Sequence, residues 1–232
     1  AEKFQITRQD QDLFAYRSQI KAANSIDNGR ISKEILTVTI KQKRKDDLIV
    51  NRDEHPRKTD LEKLSKLSTP FKNDGSVTAG NSSGVNDGAA ALIIASEDAI
   101  KKNNLKPIAR IVNAASSGVE PRIMGMGPVS ATEKVLKKSN MKLNQIDTVE
   151  INEAFAAQVL ACTRELGIQD DDPRINPNGG AIAYGHPLGM SGTRLVLSAS
   201  KQLESNNLKY ALCTMCVGCL LYTSPSPRDL ST

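Results

Sequence analysis

Thr7–x–x–Asp10, followed by Leu13, Tyr16 and Ile20 at helical spacing, predicts an amphipathic helix near the start of the chain. Ile35 to Ile40 alternates branched and polar residues and reads as a strand, with the charge run Lys41 to Lys45 as an exposed turn. Thr59–x–x–Glu62 predicts a capping box for a short helix carrying Leu61, Leu64 and Leu67 on one side, stopped by Pro70. Asn73 to Ala90 is dense in Gly, Ser, Asn and Asp and reads as a loop, either a plain linker or a small-residue surface for a polar ligand. The pattern then alternates. Ala89 to Ala95 reads as an apolar strand, Glu97 to Asn103 as a helix, and Ile108 to Ala115 as a strand. Ser130–x–x–Glu133 caps a helix through Lys138, and Ile146 to Ile151 is the next strand. Ala154 to Leu166 reads as a helix with Phe155, Val159 and Cys162 on one side; Ser191 to Leu203 is helical and Tyr210 to Val217 a last apolar strand. Strand and helix in turn predict a layered α/β fold with ligands in the loops beyond the strand ends.

Composition narrows the classes. A chain of 232 residues with 39% hydrophobic residues, 3% aromatics and no tryptophan fits a soluble protein with an aliphatic core. No apolar run is long enough to span a bilayer and no signal-peptide pattern opens the chain, so no membrane partner is expected. The opening residues from Ala1 already read as amphipathic helix, as in a chain entered partway through. The net charge of +5 comes from Lys and Arg scattered among 26 acids without interleaved aromatics. That excludes a nucleic-acid surface and suits phosphorylated ligands. Four cysteines imply a reducing interior, hence the cytoplasm, or an organelle matrix if an N-terminal address has been lost. Leu220 to Thr232, with two Ser–Pro pairs, reads as disordered, foreign to the fold and without function.

Three stretches can carry chemistry. Asn178 to Arg194, NGGAIAYGHPLGMSGTR, sets His186 among five glycines and directly before Pro187, on a stiff turn where an imidazole can exchange a proton near neutral pH. Asn152 and Glu153 follow a strand, where an Asn is either a helix cap or a donor to a substrate oxygen. Cys213–x–x–Cys216–x–x–Cys219 has metal-like spacing, but no fourth ligand follows and i, i+3 residues of a strand face opposite ways, so no metal is expected. A strand-end cysteine facing a histidine would instead be a proton carrier or nucleophile. His55, among charges before a proline, reads as a surface-loop residue.

NEAFAAQ (Asn152 to Gln158), the His186 stretch, and CVG (Cys216 to Gly218) together resemble the three C-terminal signatures of the thiolases. VTAGNSSGVNDGAAA (Val77 to Ala91) resembles the thiolase segment along coenzyme A, and DDDPRINPNGG (Asp170 to Gly180) is most similar to the 3-oxoadipyl-CoA branch. The resemblance implies a thiolase-like layered α/β fold, incomplete here: residues 1–84 from the loop subdomain of the N-terminal domain, 85–105 its last strand and helix, 106–219 the C-terminal domain, and 220–232 a non-native-looking tail. It implies ping-pong acyl transfer from a 3-oxoacyl-CoA to CoA, or the reverse Claisen condensation, with CoA as co-substrate and no permanently bound cofactor. His186 would activate the nucleophile, Cys216 would act as second acid/base, Asn152 would hold a water in one oxyanion hole and the Gly218 amide would serve the other. Ser83, Gly84, Phe71, Met124 and Phe155 would line the pantetheine and acyl groups. The family's nucleophilic cysteine matches none of the four cysteines here, so this stretch is expected to be inactive alone, and a homodimer or homotetramer is expected of a full-length protein. The other readings are a non-catalytic acyl-CoA-binding protein and a metal or redox module on the cysteine triplet.

Overall fold

A computed structural model describes residues 1–218. The 220–232 tail and Cys219 of the cysteine triplet lie outside the described residues. Helix α1 (Arg8–Asp27) opens the molecule through a complete capping box: Thr7 Oγ1 accepts from Asp10 N, and Asp10 Oδ2 accepts from Thr7 N, each at 3.1 Å. Its inward face is not the expected one. Leu13 and Ile20 are exposed, while Gln11, Asp12, Phe14, Ala15, Ser18 and Gln19 are buried. Asp12, Ser18 and Gln19 are satisfied by other segments, which is the condition for burying them, whereas Gln11 donates to the Ile6 and Thr7 carbonyls and leaves its Oε1 unpartnered. Asn81 donates to Asp12, Ser18 donates to Glu153, and Gln19 donates to the Ile182 carbonyl.

β1 (Val38–Ile40) and β2 (Leu48–Val50) form a small antiparallel hairpin around the predicted charged turn. α2 (Leu61–Ser65) is capped by Asp60, not Thr59, through Lys63 N at 2.8 Å; it ends before Leu67, and of Leu61, Leu64 and Leu67 only Leu64 is buried. Residues 89–95 and 108–115, predicted as strands, are not strands: Ile93 is 94% exposed, and Ile94, Ile108, Ile111 and Val112 are exposed too. A strand needs a neighbour for its backbone groups, and none is paired with either segment among the described residues. Between them α3 (Glu97–Asn103) forms as expected, with Ser96 Oγ accepting from Ala99 N.

The core lies further along. α4 (Gly127–Lys138) starts three residues before the predicted cap, with Pro128 in its first turn, so Ser130 lies inside the helix. β3 (Thr148–Ile151) and β4 (Ala211–Thr214) pair in parallel, Ile151 opposite Thr214. α5 (Ala156–Glu165) begins after Phe155, so Phe155 stands before the helix, half-exposed, while Val159 and Cys162 are buried. α6 (Ala181–Tyr184) is a single turn that periodicity did not reveal, and α7 (Ser191–Asn206) runs back along the strands. Val149, Ile151 and Leu212 join Phe14, Ala15 and most of α5 in one aliphatic cluster. Alternate strand residues face the other way, so Glu150 and Cys213 lie on the α7 side, where the Cys213 thiol donates to the Leu195 carbonyl.

Residues 174–176 continue the sheet beyond β3. Val149 N donates to the Arg174 carbonyl and Asn176 N donates to the Val149 carbonyl. Asn176, at φ 41°, then turns its side chain into a substitute peptide group: Oδ1 accepts from Ile151 N and Nδ2 donates to the Ile151 carbonyl. Asn tolerates that left-handed backbone better than most residues. The end of β3 is thereby held on both sides, and the turn that follows it is fixed in place.

Candidate active site

Asn152 leaves the end of β3 with its N–H donating to the Thr214 carbonyl at 3.0 Å, so the ladder carries one step past the strands. The turn at Asn152 and the segment leading from Thr214 to Cys216 therefore emerge side by side. Asn152 is buried and does not cap α5; its Nδ2 lies 3.3 Å from His186 Nε2. Of the two readings open for Asn152, the structure supports a group presented to a site.

His186 is half-buried and held from three directions. Its Nδ1 is 2.5 Å from Ser191 Oγ, in the first turn of α7. Its N–H donates to Asn86 Oδ1 at 3.2 Å. Gly185 before it has φ 92°, and a β-carbon there would run into the Asn86 amide, so glycine is required twice over. Burial, and secondarily the Arg194 guanidinium, hold the His186 imidazole below its ordinary value. It is therefore predominantly neutral, a competent base, at neutral pH.

Below this pair sits Glu153, 1% exposed, accepting from Ser18 Oγ at 2.7 Å, Asn176 Nδ2 at 2.7 Å and Ile182 N at 3.0 Å. One carboxylate thus ties α1, the 176 turn and α6 to the turn that carries Asn152. Gly180 N donates to the same Ser18 hydroxyl at 3.1 Å, closing the loop ahead of His186.

The small-residue loop of 73–90 is no free linker. Ser83 donates to the Ala154 carbonyl through both N (3.1 Å) and Oγ (3.2 Å), Ala156 N donates to the Asn81 carbonyl at 2.9 Å, and Ser82 bridges Phe155. Ser83, Gly84, Asn86 and Phe155 therefore share one neighbourhood with Asn152 and His186. Met124 joins Gly218, since a β-carbon on Gly218 would meet the Met124 sulfur at 2.8 Å. Cys216 is buried, which pushes its thiol up, and it shares the sheet end with Asn152 without a hydrogen bond to His186. Phe71 is 73% exposed.

Sequence reasoning missed Ser191, Asn86 and Asn176, because each acts on a partner distant in the fold or reads as an ordinary polar loop or helix-start residue. His55 is a correction: it is no detached surface group. Its Nδ1 lies 2.9 Å from the Ala183 carbonyl, at the end of α6, and its ring fills the space where a Gly84 side chain would stand. The nearby Arg57 N donates to Gln19 Oε1, which anchors the segment to α1. Among the described residues no group of three or more His, Cys, Asp or Glu is placed to hold a metal ion. No helix among them is long and apolar enough to cross a membrane.

Residues 1–98 match the family description "Thiolase, N-terminal domain" and residues 105–221 match "Thiolase, C-terminal domain". The beta-ketoadipyl-CoA thiolase of Acinetobacter baylyi is 56% identical over 219 residues, 94% of this chain and 55% of that protein. The 3-oxoadipyl-CoA/3-oxo-5,6-dehydrosuberyl-CoA thiolase of Escherichia coli is 54% identical over the same shares. Among solved structures, the acetyl-CoA acetyltransferase of Bacillus anthracis superposes with a TM-score of 0.90 at 44% identity, over 94% of this chain and 55% of that one. Human mitochondrial 3-ketoacyl-CoA thiolase in complex with CoA superposes with a TM-score of 0.88 at 46% identity, over 94% and 54%. The chain spans about half the length of the curated relatives it matches.

Proposed function

Because the chain belongs to the thiolase family and carries its layered α/β fold, we propose that it serves acyl transfer between a 3-oxoacyl-CoA and CoA, giving acyl-CoA and acetyl-CoA, or the reverse condensation. The proposed substrate is 3-oxoadipyl-CoA, supported by the names of the 56% and 54% identical relatives. CoA as ligand is supported by the superposable relative solved with CoA. The carrying observation is the Asn152–His186 pair at 3.3 Å, at the sheet end from which Cys216 also emerges.

In this reading His186 Nε2 takes the proton of the nucleophilic thiol. The thiolate attacks the 3-keto carbon, the C2–C3 bond breaks, and the acetyl-CoA enolate takes the Cys216 proton. The Cys216 thiolate then deprotonates incoming CoA, whose sulfur attacks the acyl-enzyme thioester; the carbon–sulfur bond to the nucleophile breaks, releasing acyl-CoA, and the expelled thiolate takes its proton back from His186. Developing charge on oxygen calls for fixed donors: the protonated His186 Nε2 with an Asn152-held water on one side, the Gly218 amide on the other. Ser83, Gly84, Phe71, Met124 and Phe155 would line the pantetheine and acyl groups, a reading supported by the bonds of Ser83 to the Ala154 carbonyl beside the Asn152 turn.

Division into a loop subdomain (1–84), a connecting segment that carries α3 but not the expected strand (85–105) and a C-terminal domain (106–219) belongs to the same proposal, supported by the two family segments meeting near residue 100. The three cysteines of the described structure are free, which supports a reducing compartment. Because the resemblance assigns the nucleophile to none of these 232 residues, the test uses the full-length parent and 3-oxoadipyl-CoA cleavage. His186→Ala and Cys216→Ala should each lower kcat by roughly 10²–10⁴-fold, the usual contribution of acid–base groups. Near-normal turnover in both variants ends the assignment.

A further inference from the structure

Ser191 is buried, and its hydroxyl has two neighbours: the Pro187 carbonyl oxygen at 2.9 Å and His186 Nδ1 at 2.5 Å. A hydroxyl has one proton to give. The carbonyl can only accept, and the hydroxyl donates to it, alongside Met190 N at 3.0 Å and Ser191 N at 2.9 Å. With the hydroxyl donating to the carbonyl, the same oxygen faces His186 as an acceptor, and Nδ1 then brings the proton. On the far side of the ring the Asn152 Nδ2 amide donates toward Nε2 at 3.3 Å. From Asn152 through the ring and Ser191 to Pro187, every donor then meets an acceptor. Reversing any one link sets two protons or two lone pairs face to face.

We propose that Ser191 is a positioning residue that locks His186 in the Nδ1–H tautomer, leaving the Nε2 lone pair as the single base of the ring. Isolated imidazole side chains favour the opposite tautomer, with the proton on Nε2, so the protein has to select this one. The lock also serves the protonated ring: when Nε2 takes a proton, Nδ1–H keeps its buried acceptor, while the Asn152 amide, a donor to the bare Nε2, has to turn away or offer its oxygen. Ser191 sits at the start of α7, five residues from His186, and Pro187 holds the intervening turn stiff. The tautomer follows from the hydrogen bonds alone; only its use as a base rests on the proposed acyl transfer.

The test reads the ring directly. In the ¹⁵N-histidine-labelled full-length parent, the signals lost in a His186→Gln variant are those of His186. Long-range ¹H–¹⁵N correlation at a pH above the imidazole range distinguishes a protonated, pyrrole-like nitrogen from a bare, pyridine-like one. The expected result for His186 is pyrrole-like Nδ1 and pyridine-like Nε2. Ser191→Ala should lose the pyrrole-like Nδ1 signal in favour of Nε2–H, and Ser191→Thr, which keeps the hydroxyl, should restore it. A pyridine-like Nδ1 in the parent overturns the proposal, as does an unchanged tautomer in Ser191→Ala. Should Ser191→Ala fail to fold, Ser191→Cys, whose sulfur is a weak acceptor, takes its place: a shift toward Nε2–H supports the lock and an unchanged tautomer overturns it. A parent without thiolase turnover would sink the proposed function and leave the tautomer assignment standing.

Discussion

Adding one methyl group at Gly180 tests whether the Glu153 carboxylate is as immobile as its partners imply. Gly180 has extended backbone, φ −127° and ψ −160°, which any residue adopts, so the cost of Gly180→Ala is not backbone strain. The new β-carbon would overlap the Glu153 carboxyl carbon and both its oxygens, its three nearest neighbours. A flexible side chain would swing away cheaply, but this one is buried and held by Ser18, Asn176 and Ile182 N. Making room means giving up about two of those bonds, each worth roughly 1.5–3 kcal/mol when the acceptor is a carboxylate. Against this stands a gain of about 0.4–1 kcal/mol from stiffening the unfolded chain. The net loss is about 2–5 kcal/mol, a large part of a domain stability of roughly 5–15 kcal/mol. Urea unfolding of the parent, Gly180→Ala, Glu153→Ala and the double variant gives a double-mutant cycle. With the carboxylate gone, the methyl should cost less than about 0.5 kcal/mol, so the coupling should be about 2–5 kcal/mol. Additive losses would refute the reasoning, because the methyl would then be clashing with something other than Glu153.

Glu150, buried on β3 opposite Cys213 with one unpartnered oxygen, is pushed up to about 8, chiefly by burial, with Glu34 and Glu153 adding and Arg194 and Arg30 opposing. Folding therefore takes up a proton between the unfolded value and about 8: the contribution is complete below the unfolded value and fades as pH rises through that window, by at most about 1.4 kcal/mol per pH unit. Glu150→Gln should flatten this fall when urea midpoints are compared across the window; an unchanged slope would move the titration to another group. Thr7→Ala removes the hydroxyl that accepts Asp10 N at the start of α1, and thermal unfolding should report a loss of about 1 kcal/mol. A loss below about 0.3 kcal/mol would mean that the capping box is redundant there.

Local chemistry was legible along the chain wherever the deciding interaction is short-range. The Thr7 capping box, the helix at Glu97–Asn103, and the parallel pair after Ile146 and Tyr210 stand close to where patterning puts them. The residues Asn152 and His186 were found by their motifs, and the fold brings them together. Legibility fails where burial is decided by a distant partner. α1 turns Asp12, Ser18 and Gln19 inward and leaves Leu13 and Ile20 outside, because Asn81, Glu153 and Ile182 offer the polar face its hydrogen bonds. The runs at 89–95 and 108–115 have strand-like composition without a paired neighbour, and composition alone does not make a ladder.

By itself the sequence determined the Thr7 cap of α1, the α3 helix, the β3 and β4 segments, and which residue types could exchange a proton or hold a developing charge, since those depend on each side chain and its near neighbours. Tertiary structure alone decided that Ser191 stands behind His186, that Asn86 clamps its backbone, that Asn176 substitutes for a peptide group beside β3, and that Glu153 ties three segments under the site. Hydrogen bonds are directional and act over about 3 Å, so residues 163 positions apart, as Gln19 and Ile182 are, become partners only once the chain has packed.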